Sequence, residues 1–208
     1  MEIRRVPTGL IQANTYLAWD PDTKKGFLVD PGDFSQMLAD IIEEEGINLQ
    51  YIILTHGHGD HICGTDAFRG RYPGVKVIAH VLADEILQSA SLNGSTNLFG
   101  RPVAINTDIK VEEGDTLNIG NETLLFLHTP GHSKGGMCIK GDGFVFTGDT
   151  LFRESIGRTD FYGGDFKTLE KSIKEKLYTL PGDTIVYPGH MDITTIEYEK
   201  GHNLFVHD

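Results

Sequence analysis

The stretch Thr55-His56-Gly57-His58-Gly59-Asp60-His61 sets three imidazoles and a carboxylate within six residues, directly after the apolar run Tyr51–Leu54. Such a run reads as a short buried strand, and its polar continuation must leave the sheet as a loop, where functional groups are usually mounted. On an extended loop His56 and His58 can point the same way and share one cation. Asp60 and His61 come off the next turn and can reach a second. Gly57 and Gly59 are expected to let the backbone turn sharply without side-chain clash. A merely solvated loop would not need so many donor groups in so short a span. The fold must therefore carry a metal centre at the end of a strand. Imidazole with carboxylate suits Zn, Fe, Mn or Co, and without thiolates the set is not a structural cysteine-type zinc site.

Three later segments repeat the theme. Leu124–His128 runs into Thr129-Pro130-Gly131-His132, Phe144–Phe146 into Thr147-Gly148-Asp149, and Ile185–Tyr187 into Pro188-Gly189-His190. Each alone would suit a turn with a surface polar residue. If the strands are parallel and end on one sheet edge, their loops converge. The pooled donors are His56, His58, Asp60, His61, His132, Asp149 and His190. Two four- to five-coordinate metals need about this many once a bridging carboxylate and a shared water are counted.

The rest of the chain alternates strands and helices. Ala13–Trp19 and Gly26–Asp30 read as a hairpin around Asp20–Lys24. Phe34–Glu45 reads as a helix with Ser35 as N-cap, Met37, Leu38, Ile41 and Ile42 as its apolar stripe, and Gly46 as its stop. Further strands are expected at Val75–Ala79, Thr116–Ile119, Thr123–His128, Met137–Lys140 and Phe144–Thr147. Phe166–Leu180 is an amphipathic helix with Leu169, Ile173, Leu177 and Leu180 inward, and Thr194–Lys200 a short final one. Each half has strands, a helix and an apolar strand ending in a histidine loop, which suits an α+β fold of two β-layers flanked by helices. No linker interrupts residues 1–208, so a single domain is expected.

Composition removes other classes. Lys and Arg number 18 against 30 Asp and Glu, a net charge of -12 that repels phosphate backbones, so no nucleic-acid partner is expected. No apolar run reaches the roughly 18 residues of a membrane span, and the first residues lack a signal-peptide stretch. Two cysteines, Cys63 and Cys138, are too few for a disulfide scaffold, which points to a cytoplasmic protein with no membrane association. The sequence offers no G-x-S-x-G elbow, Walker loop or dinucleotide fingerprint.

With its T-H-x-H-x-D-H motif, later His and Asp, and last His, the chain resembles the metallo-β-lactamase superfamily over nearly its whole length. The resemblance implies an αβ/βα four-layer sandwich, two central mixed sheets flanked by helices, with the metals at one edge. It implies two divalent ions, zinc first, with iron or manganese as alternatives. His56, His58 and His132 would hold one and Asp60, His61 and His190 the other, with Asp149 bridging. Leu151-Phe152, Ser155–Asp160, Gly163-Gly164-Asp165, Tyr187–His190, Thr194–Ile196, Glu199 and Asn203 resemble the glyoxalase II branch, the hydroxyacylglutathione hydrolases. That branch implies hydrolysis of a small-molecule thioester by a metal-bridged hydroxide, with Asp60 orienting it. Arg158 and Asp160 are expected to brace the metal loop as a buried pair.

Several positions depart from the branch. Cys63 stands where it usually has a small residue, most often Gly, and reads as a buried thiol. Ser133-Lys134 and Met191-Asp192 replace Thr-Pro and Gly-Pro at the mouth of the site, which bears on substrate preference rather than metal binding. Only 18 residues follow His190, so no C-terminal glutathione-binding helical domain is expected. Gly157–Phe161 also resembles the persulfide dioxygenases, which would place one Fe(II) on His56, His132 and Asp149. Another ester or lactone hydrolase, a β-lactamase, or a scaffold that binds metal without activity are the remaining readings. His80, His128, His202 and His207 are expected outside the centre, and Cys138 in the core. Nothing in the sequence fixes an oligomeric state.

Overall fold

The computed structural model describes residues 1–207. Two six-stranded sheets pack face to face. The first holds β1 (Glu2–Thr8), β2 (Ala13–Trp19), β3 (Lys25–Val29), β4 (Asn48–Leu54), β5 (Lys76–His80) and β6 (Ile109–Val111), side by side in chain order. The chain then supplies β7 (Thr116–Ile119), β8 (Glu122–His128), β9 (Met137–Lys140) and β10 (Phe144–Gly148). A two-stranded hairpin, β11 (Leu151–Phe152) with β12 (Ser155–Ile156), precedes β13 (Ile185–Pro188) and β14 (Thr194–Thr195). The second sheet has the order β14-β13-β10-β9-β8-β7.

Strand periodicity builds three cores. Along β2, Leu17 and Trp19 face one side and Tyr16 and Ala18 the other, and every residue of the strand is buried because both faces are covered. Tyr16, Phe27, Ile53, Phe126 and Phe146 fill the space between the sheets. Leu17, Leu38, Ile42, Leu54 and Phe68 pack the first sheet against α1 (Gln36–Glu44) and α3 (Thr65–Arg71), with α2 (Gly59–Ile62) between them in the chain. Two short helices, α4 (Asp84–Leu87) and α5 (Ser95–Phe99), lie beyond β5. On the far side Val145, Val186, Leu169, Ile173 and Leu177 join the second sheet to α6 (Phe166–Ser172) and α7 (Ile196–His202). The layers run helix, sheet, sheet, helix, the αβ/βα sandwich the sequence implied.

Strand direction then positions the site. β8 and β10 each pair antiparallel with β9, and β10 pairs parallel with β13, so β8, β10 and β13 all run the same way. They deliver the segments before His132, Asp149 and His190 to one edge. β4 delivers the segment before His56 to the same edge of the other sheet. Cross-sheet hydrogen bonds close that edge: Asn14 N donates to Gly189 O at 2.7 Å, Met137 N to Thr55 O at 2.9 Å, and Tyr16 Oη to Pro188 O at 2.7 Å.

Several elements differ from expectation. β1, β6, β14 and α2 to α5 were not anticipated, and β4 begins at Asn48 rather than Tyr51. Met37, placed in the apolar stripe of α1, is 60% exposed, and Ala39 lies buried instead. The helix expected over Phe166–Leu180 is α-helical to Ser172 and continues as a π-helical turn over Ile173–Leu177, closed by Tyr178 N donating to Ile173 O at 2.9 Å. No helix among the described residues is long and apolar enough to cross a membrane.

Phe146 is fully buried, with ring centroids 5.1 Å from Tyr16, 6.0 Å from Phe27 and 5.3 Å from Tyr187. Phe146→Ala is expected to lower unfolding free energy by about 3–5 kcal/mol in chemical denaturation. A loss below about 1 kcal/mol would mean the inter-sheet core collapses around the missing ring.

Candidate metal centre

The loop after β4 leads from Thr55 into α2, whose N-cap is His58. Neither Gly57 nor Gly59 adopts left-handed backbone. They are needed for close approach: a Cβ on Gly57 would lie 2.9 Å from Ile86 Cγ2, and one on Gly59 2.9 Å from Phe99 Cε2. Gly189 has the same task at the opposite loop. A Cβ there would stand 2.3 Å from Asp149 Oδ1 and 2.7 Å from His61 Cε1.

All seven candidate residues come together. His56, His58 and His132 offer donor atoms that lie within 4.8 Å of one another, as do Asp60, His61 and His190. In the first trio His58 Nδ1 is 2.8 Å from His132 Nε2. In the second, His190 Nε2 is 3.3 Å from His61 Nε2 and 3.2 Å from Asp60 Oδ2. Asp149 stands between them, with Oδ1 3.3 Å from His61 Nε2 and Oδ2 3.6 Å from His132 Nε2 and 3.7 Å from His190 Nε2.

Hydrogen bonds behind the rings fix which nitrogens face inward. His132 Nδ1 donates to the Arg158 carbonyl at 2.7 Å, leaving Nε2 with its lone pair toward the centre. His61 Nδ1 donates to Asp30 Oδ2 at 3.0 Å. Thr55 Oγ1 donates to the same carboxylate at 2.5 Å and so accepts from His56 Nδ1 at 3.1 Å. Asp30 also takes Thr55 N at 2.7 Å and is buried in a left-handed backbone conformation, φ 49°. Orientation of ligating imidazoles by a carboxylate or carbonyl behind them is a common feature of metal sites. Asp30 was read only as a strand end. Its signal was a lone carboxylate closing an apolar strand, at a place equivalent to the other loops.

Electrostatics divide the cluster. Burial, then the charge of His61, holds His56 well below the usual imidazole range, and burial with His132 pushes His58 down to about 4. At His61 burial also lowers the pKa, but Asp149 and Asp60 outweigh it and hold it well above the usual range. Burial raises the carboxylates, yet His61 first, with His132 and His56, holds Asp149 well below its ordinary value, and His61 and His190 lower Asp60. His56 Nε2, His58 Nε2 and Asp149 Oδ1 are buried with no hydrogen-bond partner. Such orphaned polar atoms are costly unless something else coordinates them. The donor set and these unmet atoms fit divalent cations.

The remaining residues fall outside the centre. Arg158 and Asp160 do pair, Nε to Oδ1 at 2.7 Å, but their side chains are 57% and 66% exposed rather than buried. Arg158 instead spreads over the Phe161 ring at 3.8 Å, and its backbone carbonyl, not its charge, braces His132. Cys63 and Cys138 are buried free thiols, both raised by burial, Cys138 to about 11. His80 stacks on His128 with centroids 4.0 Å apart. His202 stacks on Tyr198 and is exposed, as is His207.

Comparison with known proteins gives the family. The Metallo-beta-lactamase superfamily matches residues 8–190. The chain is 41% identical to the Probable metallo-hydrolase YqgX of Bacillus subtilis, covering 99% of this chain and 98% of that one. It is 37% identical to the Hydroxyacylglutathione hydrolase GloC of Haemophilus influenzae, again over 99% and 98%. The mitochondrial Persulfide dioxygenase ETHE1 of Homo sapiens is 33% identical over 89% of this chain and 68% of its own. Among solved structures, the BLEG-1 B3 metallo-beta-lactamase superposes with a TM-score of 0.92 at 38% identity, covering 99% of both chains.

Asp30→Ala is expected to weaken metal binding roughly 10- to 100-fold in a chelator-competition titration, because it frees two imidazoles to rotate. His80→Ala should bind like the unmodified protein. Equal affinity in both variants would show that the carboxylate behind His61 does not organise the centre.

Proposed function

The chain belongs to the metallo-β-lactamase superfamily, and on that premise we propose that it hydrolyses small-molecule thioesters of the hydroxyacylglutathione type. The ligands would be His56, His58 and His132 for one ion, Asp60, His61 and His190 for the other, and Asp149 for both. Zinc is the first choice, with iron or manganese also suited to such donors.

Asp149 is the observation that carries this reading. Its two oxygens reach toward both trios, which supports a two-ion centre. A single-iron centre on His56, His132 and Asp149 would leave Asp60, His61 and His190 without a task. Likeness to a hydroxyacylglutathione hydrolase over the full chain supports the substrate class.

Bound here, the cations would lower the pKa of water and polarise the thioester carbonyl. The protein's own groups do the rest. Asp60 stays ionised despite burial, opposed by His61 and His190, so it accepts a hydrogen bond from the attacking water and orients it. Phe161 lies 5.5 Å from the His58 ring and Phe152 5.7 Å from that of His190, and the two rings narrow the approach of bulk water. The leaving thiolate is weakly basic, so no side chain has to protonate it.

Elemental analysis paired with an S-lactoylglutathione hydrolysis assay tests the reading, with about two ions per chain and turnover expected. Asp149→Ala should cost on the order of a hundredfold or more in kcat and lower the metal content. Full activity in that variant would overturn the two-ion centre. One iron per chain, no thioester turnover and oxygen uptake with glutathione persulfide would replace the hydrolase by a dioxygenase.

A further inference from the structure

A cavity of about 430 Å³ opens beside the His190 loop, lined by Arg5, Gln12, Asn14, Arg153, Glu154 and Asp192, with Met191. None of these residues belongs to the candidate ligand set. Arg5 comes from β1, Asn14 from β2, Arg153 and Glu154 from the turn between β11 and β12, and Met191 and Asp192 from the segment after His190.

The two guanidiniums stand out in a chain of net charge -12. Arg153 lies over the Tyr198 ring at 5.0 Å, and its Nε is 3.9 Å from Glu154 Oε1, too far for a hydrogen bond. Glu154 is already engaged, since Tyr198 Oη donates to the same oxygen at 2.5 Å. The planar fork of Arg153 is therefore aligned by Tyr198, and its ion pair to Glu154 is long and half exposed. Arg5 donates to the Met191 carbonyl at 3.1 Å and to Asp192 at 3.3 Å, and the Asp192 side chain is 74% exposed. An ion pair that open is weak and readily exchanged for a better-placed anion. A guanidinium fork matches a carboxylate in two parallel hydrogen bonds.

The cavity is walled by residues next in the chain to groups at the centre. The side chains of His190 and Asp60 are 21% and 15% exposed, whereas His61 is closed off. Met191 follows His190 directly, and Arg153 follows Phe152, whose ring packs on His190. The segments that carry His190 and Phe152 therefore also wall the cavity. Resting on the thioester reading, we propose that this cavity is a subsite for the carboxylate of the substrate's thiol half. Arg153 makes the bidentate contact, and Arg5 supplies the second positive charge. Binding energy gathered there, away from the reacting carbonyl, would select thioesters of acidic thiols over those of neutral ones.

The test uses the metal-loaded protein and two thioesters with the same acyl group, S-lactoylglutathione and S-lactoyl-N-acetylcysteamine, which has no carboxylate. The kcat/KM ratio of the first to the second is expected to fall roughly tenfold in Arg153→Ala, mainly through KM, and to recover in part in Arg153→Lys. An unchanged ratio overturns the subsite. Calorimetric titration with S-methylglutathione, which has no free thiol for a metal, reads the cavity without turnover. Binding weakened about tenfold by Arg153→Ala supports it. No binding to the unmodified protein, or equal binding to the variant, overturns it. If the unmodified protein cleaves neither thioester, the hydrolase reading fails and the titration alone decides the subsite.

Discussion

His61 is where the two sheets become one site. Its Nδ1 donates to Asp30, at the end of β3, and its Nε2 faces Asp149, just past β10. An imidazole with no exposed surface between two carboxylates is tolerable only because each charge answers another. Remove Asp30, and His61 and Thr55 lose the acceptor that fixes them. Remove Asp149, and Asp60 is the one carboxylate left facing His61 Nε2. The parallel run of β8, β10 and β13 and the cross-sheet bonds of Asn14, Tyr16 and Met137 keep these groups in register.

Two environments within one cluster follow from that geometry. The trio of His56, His58 and His132 is dry, and burial with like-charged neighbours favours neutral rings at two of its members, His56 and His58. Neutral imidazole is the form that coordinates a cation, so those two rings need shed no proton to do so. The trio of Asp60, His61 and His190 contains an ionised carboxylate and a protonated ring and is open to solvent on one side. A cation held there by His61 would stand in for its proton as counter-charge to Asp149.

How much of this was legible in the chain depended on how local each signal was. Ser35 caps α1 through its own hydroxyl, and the histidine loops follow apolar strands directly, so nearest-neighbour chemistry sufficed. β1 was missed because EIRRVPT carries charges and a proline. It is a strand by virtue of its pairing with β2 from Glu2 opposite Trp19 to Thr8 opposite Ala13, a tertiary fact. Helices of four to seven residues between Gly59 and Phe99 leave too little periodicity to read. The Arg158–Asp160 pair was legible, but its burial was not, because stacking on Phe161 holds it at the surface.

The same contrast between local and tertiary forces bears on where specificity resides. His61, His56 and His132 are fixed from behind, through Asp30, Thr55 and the Arg158 carbonyl. Rim residues are held more lightly. Lys134 pairs with Glu85 at 3.2 Å and Tyr162 donates to Glu85 at 2.6 Å, all at exposed positions where water screens such contacts and they contribute little. Met191 keeps its place through its backbone carbonyl, which accepts from Asn14 and Arg5 whatever its side chain is. Substitutions at these positions leave the donors undisturbed and alter only what can approach them. One rigid centre is thereby open to different substrates through the few side chains that follow each candidate ligand in the chain.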